Sequence, residues 1–151
     1  MRILWHPGAG GGGVVSPTQP TVEAKPVSNG LKDLSKITIL LVDDSSNWRR
    51  ENSKWLIKAF NCTVITANNP DEALTLLKTI NPDIIVSELN MGEKSGLDLA
   101  RERPQNIPFI LISNCFPTDL KTDGLNISAK IDKGHGVELA NAIRSVFAED
   151  K

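Results

Sequence analysis

The chain has 151 residues, 40% of them hydrophobic and 23% charged, with a formal net charge of −1. That length supports one modest hydrophobic core, and so balanced a charge leaves no global field to draw in nucleic acid or an anionic membrane. Aromatic residues make up 5% with no Tyr, and basic residues are scattered, Arg49-Arg50 being the densest pair; the basic patch interleaved with aromatics that marks a nucleic-acid binder is missing.

The first thirty-odd residues read differently from the rest. Met1-Arg2-Ile3-Leu4-Trp5 is halted by His6-Pro7-Gly8, well short of a signal h-region, and no apolar stretch is long enough to span a bilayer. Residues 1–35 hold six of the eleven glycines and four of the nine prolines. The run Ala9 to Gly13 lacks the preceding strand and the Lys-Ser/Thr ending of a phosphate-binding loop. Residues 1–34 are therefore expected to form a flexible Gly/Pro-rich tail or linker, with the folded domain at 35–151. Cys62 and Cys115 form no CxxC pair, and His6 and His135 have no metal-ligand spacing. Two reduced, partly buried thiols in a cytoplasmic protein are expected.

From Ser35 the pattern alternates strand and helix. Ile37 to Val42 is a short, almost wholly apolar, β-branched run, as befits a parallel strand covered on both faces. It ends in Asp43-Asp44, and Ser45-Ser46 can cap a helix running to about Phe60. Thr63 to Ala67 predicts a second strand. Pro70, Asp71 and Glu72 open a second helix whose apolar stripe is Ala73, Leu74, Leu76, Leu77 and Ile80. Ile84 to Val86 predicts the third strand, Gly96 to Arg103 a short helix stopped by Pro104, and Pro108 to Ser113 the fourth strand. Pro117 to Asn126 is weakly helical and short of apolar residues. Ile127 to Ile131 alternates like a fifth strand, and Val137, Ala140, Ile143 and Phe147 recur at helical spacing. Five βα units predict a doubly wound, open, five-stranded parallel sheet, a fold whose function gathers at the carboxyl ends of its strands.

Several polar residues fall at those ends. Asp43 and Asp44 close the first strand, Glu88 the third, Ser113 the fourth, and Lys133 follows the fifth. Together with the stretch Pro82 to Met91 closed by Gly96, and with Glu88 standing 44 residues beyond Asp44, this series resembles the response-regulator receiver domain of two-component signalling. The resemblance covers about residues 35–151 and implies the flavodoxin-like receiver fold. In that family the position matching Glu88 is the aspartate that accepts a phosphoryl group, so the chain resembles a receiver with a glutamate as acceptor-equivalent. Asp43 and Asp44 match the magnesium carboxylates, with the backbone carbonyl of Asn90 and Glu88 as further ligands. Ser113 and Lys133 match the hydroxyl and the ammonium that would meet a phosphoryl group. Lys130 is the alternative lysine.

The chemistry accounts for those residue types. Phosphoryl transfer to a carboxylate needs an oxygen in line with the leaving group and positive charge at the equatorial oxygens, which magnesium and lysine supply. One extra methylene shifts the carboxylate by about 1.5 Å, and a misplacement of about 1 Å costs in-line transfer about a hundredfold. Either Glu88 imitates the charged state while paired with Lys133, or it neutralises local charge in a decayed site. Ser87 points to the other side of the strand, Asp83 starts it at the far end, and Trp48 and Trp55, seven apart, suit helix packing. No enzymatic activity is expected. The resemblance implies a stand-alone signalling module acting on a protein partner: a histidine kinase, another receiver or an output protein, with a homodimer compatible. A weak magnesium-dependent phosphoacceptor and a receiver piece of a larger kinase or regulator are the alternatives.

Overall fold

The computed structural model describes residues 33–148. The tail expected at 1–34 therefore lies, up to residue 32, outside the described residues. A single 3-10 turn, Leu34–Lys36, leads into β1 (Thr38–Val42), followed by α1 (Ser46–Phe60), β2 (Thr63–Ala67), α2 (Pro70–Leu76), β3 (Ile84–Glu88), α3 (Gly96–Glu102), β4 (Phe109–Ser113), β5 (Ala129–Asp132) and α4 (Gly136–Val146). The five strands form one wholly parallel sheet in the order β2-β1-β3-β4-β5. This is the flavodoxin-like, doubly wound arrangement, and its order reverses between β1 and β3.

Local chemistry sets the element ends. Ser45 caps α1 by accepting the Trp48 N–H, and Asn61 ends that helix in the left-handed region. Asn69 caps α2 with Pro70 at its first turn. Ser95 and Asp98 form a reciprocal capping box on α3. At the foot of the sheet the Asp83 carboxylate accepts the Thr38 N–H at 2.7 Å, so this acid ties β3 to β1 at the end away from the site.

β1, β3 and β4 are fully buried centrally, and their period of two divides the core into two layers. Ile39, Leu41, Ile84, Val86, Ile110 and Ile112 pack beneath α1 and α4 with Leu56, Phe60 and Ile143. Leu40, Val42, Ile85, Phe109 and Leu111 pack on the other face with Ala73, Leu99 and Ala100 of α2 and α3. Burial of each such Leu or Ile side chain contributes about 1.5–3 kcal/mol.

One expected element is absent. Between β4 and β5 the chain runs through turns rather than a helix, so among the described residues four α-helices, not five, cover the sheet. The segment offers too few apolar residues for a helical stripe, and a buried arginine takes over its anchoring. Arg103, 2% exposed, donates to the carbonyls of Ala100, Ile107, Leu125 and Asn126 at 2.7–3.2 Å. Its guanidinium lies 5.1 Å from the Phe109 ring centroid. No disulfide joins the two cysteines; Cys62 is buried, but Cys115 is exposed rather than partly buried.

Candidate functional site

Asp43, Glu88 and Lys133 meet at the carboxyl ends of β1, β3 and β5. By strand alternation all three belong to the α1/α4 face, in step with Leu41, Val86 and Ile131. The Lys133 ammonium lies 2.7 Å from Asp43 Oδ2 and 2.7 Å from Glu88 Oε1. The carboxylates are buried, Asp43 completely and Glu88 to 5% exposure. Asp43 Oδ1 accepts the Ser45 N–H at 2.8 Å, whereas Oδ2 has the ammonium as neighbour and no hydrogen bond of good angle. Glu88 Oε2 accepts the Asn90 N–H at 2.9 Å. Each oxygen of the Glu88 carboxylate is thus engaged by a donor of the chain itself.

Two features of this cluster escaped sequence reasoning. Trp48, expected only to pack, also stacks its ring over Lys133, with Nζ 4.9 Å from the centroid, a cation–π contact that covers the ammonium from the α1 side. Arg49 donates to the Asp43 carbonyl at 2.6 Å and to Asn68 Oδ1 at 3.0 Å, bracing the turn from β1 into α1. Helical spacing put Trp48 on the core side of α1; what was not visible was how far β5 extends Lys133 toward it.

One ammonium serves two carboxylates, so the buried cluster is net negative when both are ionised. Burial pushes the Asp43 carboxyl above its ordinary range, against the Lys133 ammonium and the Ser45 N–H, which favour the anion; the neighbouring Glu88 charge adds to the rise. Burial pulls Lys133 down, but its contacts with Asp43 and Glu88 outweigh that, and its pKa stands above the ordinary lysine value.

The remaining expected site residues are less engaged. Asp44 is exposed beside the cluster. Ser113 is buried at the end of β4, but its hydroxyl accepts the Cys115 N–H at 3.2 Å and donates to the Cys115 carbonyl at 3.1 Å, closing its own loop. Lys130 is exposed on β5 and takes no part. Ser87 is fully buried and donates to the Glu88 carbonyl. Gly96 is required where it stands: a Cβ there would strike the Glu88 carbonyl and come within 2.8 Å of Leu111 Cδ1. That close approach seats the start of α3 against the end of β3.

Hard carboxylate oxygens suit magnesium, but here the gap between Asp43 and Glu88 is filled by an ammonium. Among the described residues no three His, Cys, Asp or Glu side chains converge as a metal would need. In this arrangement the residues do not fit the ion.

Residues 39–130 match the family described as the response regulator receiver domain. The chain belongs to that family. This receiver domain is 30% identical over 141 residues to the protein RcaC of Microchaete diplosiphon, which covers 86% of this chain and 21% of that protein. It is 35% identical over 81 residues to a protein-glutamate methylesterase/protein-glutamine glutaminase of Bacillus subtilis, covering 52% of this chain and 23% of the relative. The chain thus spans about a fifth to a quarter of the length of the curated relatives it matches. Among solved structures it resembles the chemotaxis response regulator CheY4 of Vibrio cholerae, with a TM-score of 0.64 at 24% identity, covering 74% of this chain and 98% of that one. It equally resembles the response regulator protein TrrA of Thermotoga maritima in complex with Mg(2+)-BeF, with a TM-score of 0.64 at 24% identity, covering 73% and 98%. These likenesses carry the fold. No described helix is long and apolar enough to cross a membrane.

Proposed function

We propose that this receiver domain works in two-component signalling by protein–protein contact, without conventional aspartyl phosphorylation, because Glu88 stands where the acceptor would be. The observation that carries this reading is the capture of Glu88. Its Oε1 is held by Lys133 at 2.7 Å and its Oε2 by the Asn90 N–H at 2.9 Å. A carboxylate so held, and one methylene longer than aspartate, is fixed away from the position that in-line attack needs. Lys133 and Glu88 form an internal ion pair that fixes the crest in one state, with Ser113 beside it and turned into its own loop. A magnesium ion on Asp43, Asp44, Glu88 and the Asn90 carbonyl would have to displace the ammonium, so its binding is weak. The partner is a histidine kinase, another receiver or an output protein. The domain is read as a stand-alone module; that it matches about a fifth to a quarter of its relatives' length supports the alternative of a receiver piece of a longer regulator.

Phosphotransfer to wild type and to Glu88→Asp tests the reading. Incubation with acetyl phosphate and magnesium should leave the wild type unlabelled and label the aspartate variant. A stoichiometric acyl phosphate on Glu88 would instead support a weak magnesium-dependent phosphoacceptor.

A further inference from the structure

Among the described residues β2 is an edge strand, paired with β1 alone. Its residues Thr63-Val64-Ile65-Thr66-Ala67 include no charge and no Pro, the devices that ordinarily blunt an edge. The Thr63 N–H bonds to the Ile37 carbonyl, and the Ala67 carbonyl accepts the Asp43 N–H. Residues 63, 65 and 67 therefore face β1, and the ladder's period of two turns the N–H and C=O of Val64 and Thr66 outward.

Beside this edge runs a groove of ≈ 360 Å³, lined by Arg49, Arg50, Ser53, Lys54, Val64 and Thr66 among others. The α1 wall carries Arg49, Arg50, Lys54 and Lys58 against Glu51 alone, in a chain whose formal net charge is −1. Arg50 and Glu51 are both more than half exposed and 3.8 Å apart, a loose pair; Arg50 also donates to Asn47 Oδ1 at 2.7 Å, a solvent-exposed contact that a carboxylate could replace. Ser53 Oγ is buried against the groove with no hydrogen-bond partner.

We propose that this groove docks an extended acidic segment of a partner protein, which adds to β2 as a further strand and lays its carboxylates along α1. The spacing agrees. Alternate side chains of a strand lie about 6.6–6.8 Å apart on one face, and Arg50 and Lys54, four residues apart on the helix, are separated by about 6 Å. Charge complementarity selects the occupant. A second copy pairing through β2 would bring two basic α1 rows together, which repel, whereas an acidic strand meets cations on the helix side and free backbone groups at the edge. Asp43, Glu88 and Lys133 take no part, so this docking is independent of the phosphoacceptor reading.

Fluorescence anisotropy with a labelled nine-residue peptide alternating Glu and Val tests it, with a Lys/Val peptide as control. Two variants are compared with wild type: R50E/K54E, and T66P, which removes an outward N–H without costing a bond to β1. Wild type should bind the Glu/Val peptide with an affinity that falls as salt rises. Each variant should weaken it about tenfold or more, and R50E/K54E should gain the Lys/Val peptide. If T66P fails to fold by circular dichroism, the charge swap decides alone. No binding to wild type, binding unchanged by R50E/K54E, tighter binding of single-stranded DNA, or a concentration-dependent dimer in place of peptide binding would each overturn the proposal.

Discussion

Lys133→Met should be far more damaging than an ordinary lysine substitution. The ammonium stands 2.7 Å from both Asp43 Oδ2 and Glu88 Oε1, so those oxygens are at most twice that distance apart. Methionine keeps the unbranched stem under the Trp48 ring but removes the charge, leaving two buried carboxylates facing each other. At a separation of about 5 Å and an effective dielectric constant of about 20, their repulsion is about 3 kcal/mol. Breaking a buried pair by removing one partner ordinarily costs about 3–5 kcal/mol, which agrees with that figure. Urea unfolding at pH 7 should show a loss of that size, shrinking as the pH is lowered and Asp43, whose carboxyl burial already pushes upward, takes a proton. The neutral triple variant D43N/E88Q/K133M should recover most of the loss, because no uncompensated charge remains. A loss below about 1 kcal/mol that does not change with pH would refute the buried-triad reasoning.

Arg103→Met should destabilise the domain by at least about 3 kcal/mol in urea, since it leaves several buried carbonyls unpaired at once; the same variant should speed amide exchange in residues 114–128, which Arg103 anchors through Leu125 and Asn126. Stability should also fall at high pH. The folded pKa of Lys133 is raised above 10.5, so its contribution is fully present below that value and is lost as pH rises through the folded pKa. Lys94, held by Asp71 at 2.7 Å, shifts the same way, so the contrast with D43N/E88Q/K133M isolates the part due to Lys133; equal alkaline limbs in both proteins would contradict it.

Most of the sheet was legible in the sequence because its central strands are short, β-branched runs buried on both faces, and because Asp43, Glu88 and Ser113 each close such a run. β5 was harder: it is an edge strand of alternating exposure, Ala129–Asp132 rather than 127–131, and periodicity is weakest where only half a strand is buried. The segment after β4 was read as weakly helical, yet its ordering comes from Arg103, eleven or more residues upstream, and no local pattern announces a tertiary anchor of that kind. At the site, strand ends predicted which residues would be neighbours. They did not predict that Ser113 would bond its own loop, that Asp44 would stay exposed, or that Trp48 would cover the lysine, because side-chain choice among close partners depends on distances the sequence does not encode.

The most direct measurement is NMR of the Lys133 side chain in protein labelled at the lysine Nζ, with and without millimolar magnesium. An ammonium locked between Asp43 and Glu88 should give a distinct, slowly exchanging Nζ resonance that is lost in E88Q and unmoved by magnesium. A Lys133 signal averaged with the exposed lysines, or one released when magnesium is added, would contradict an internal ion pair that holds the crest closed.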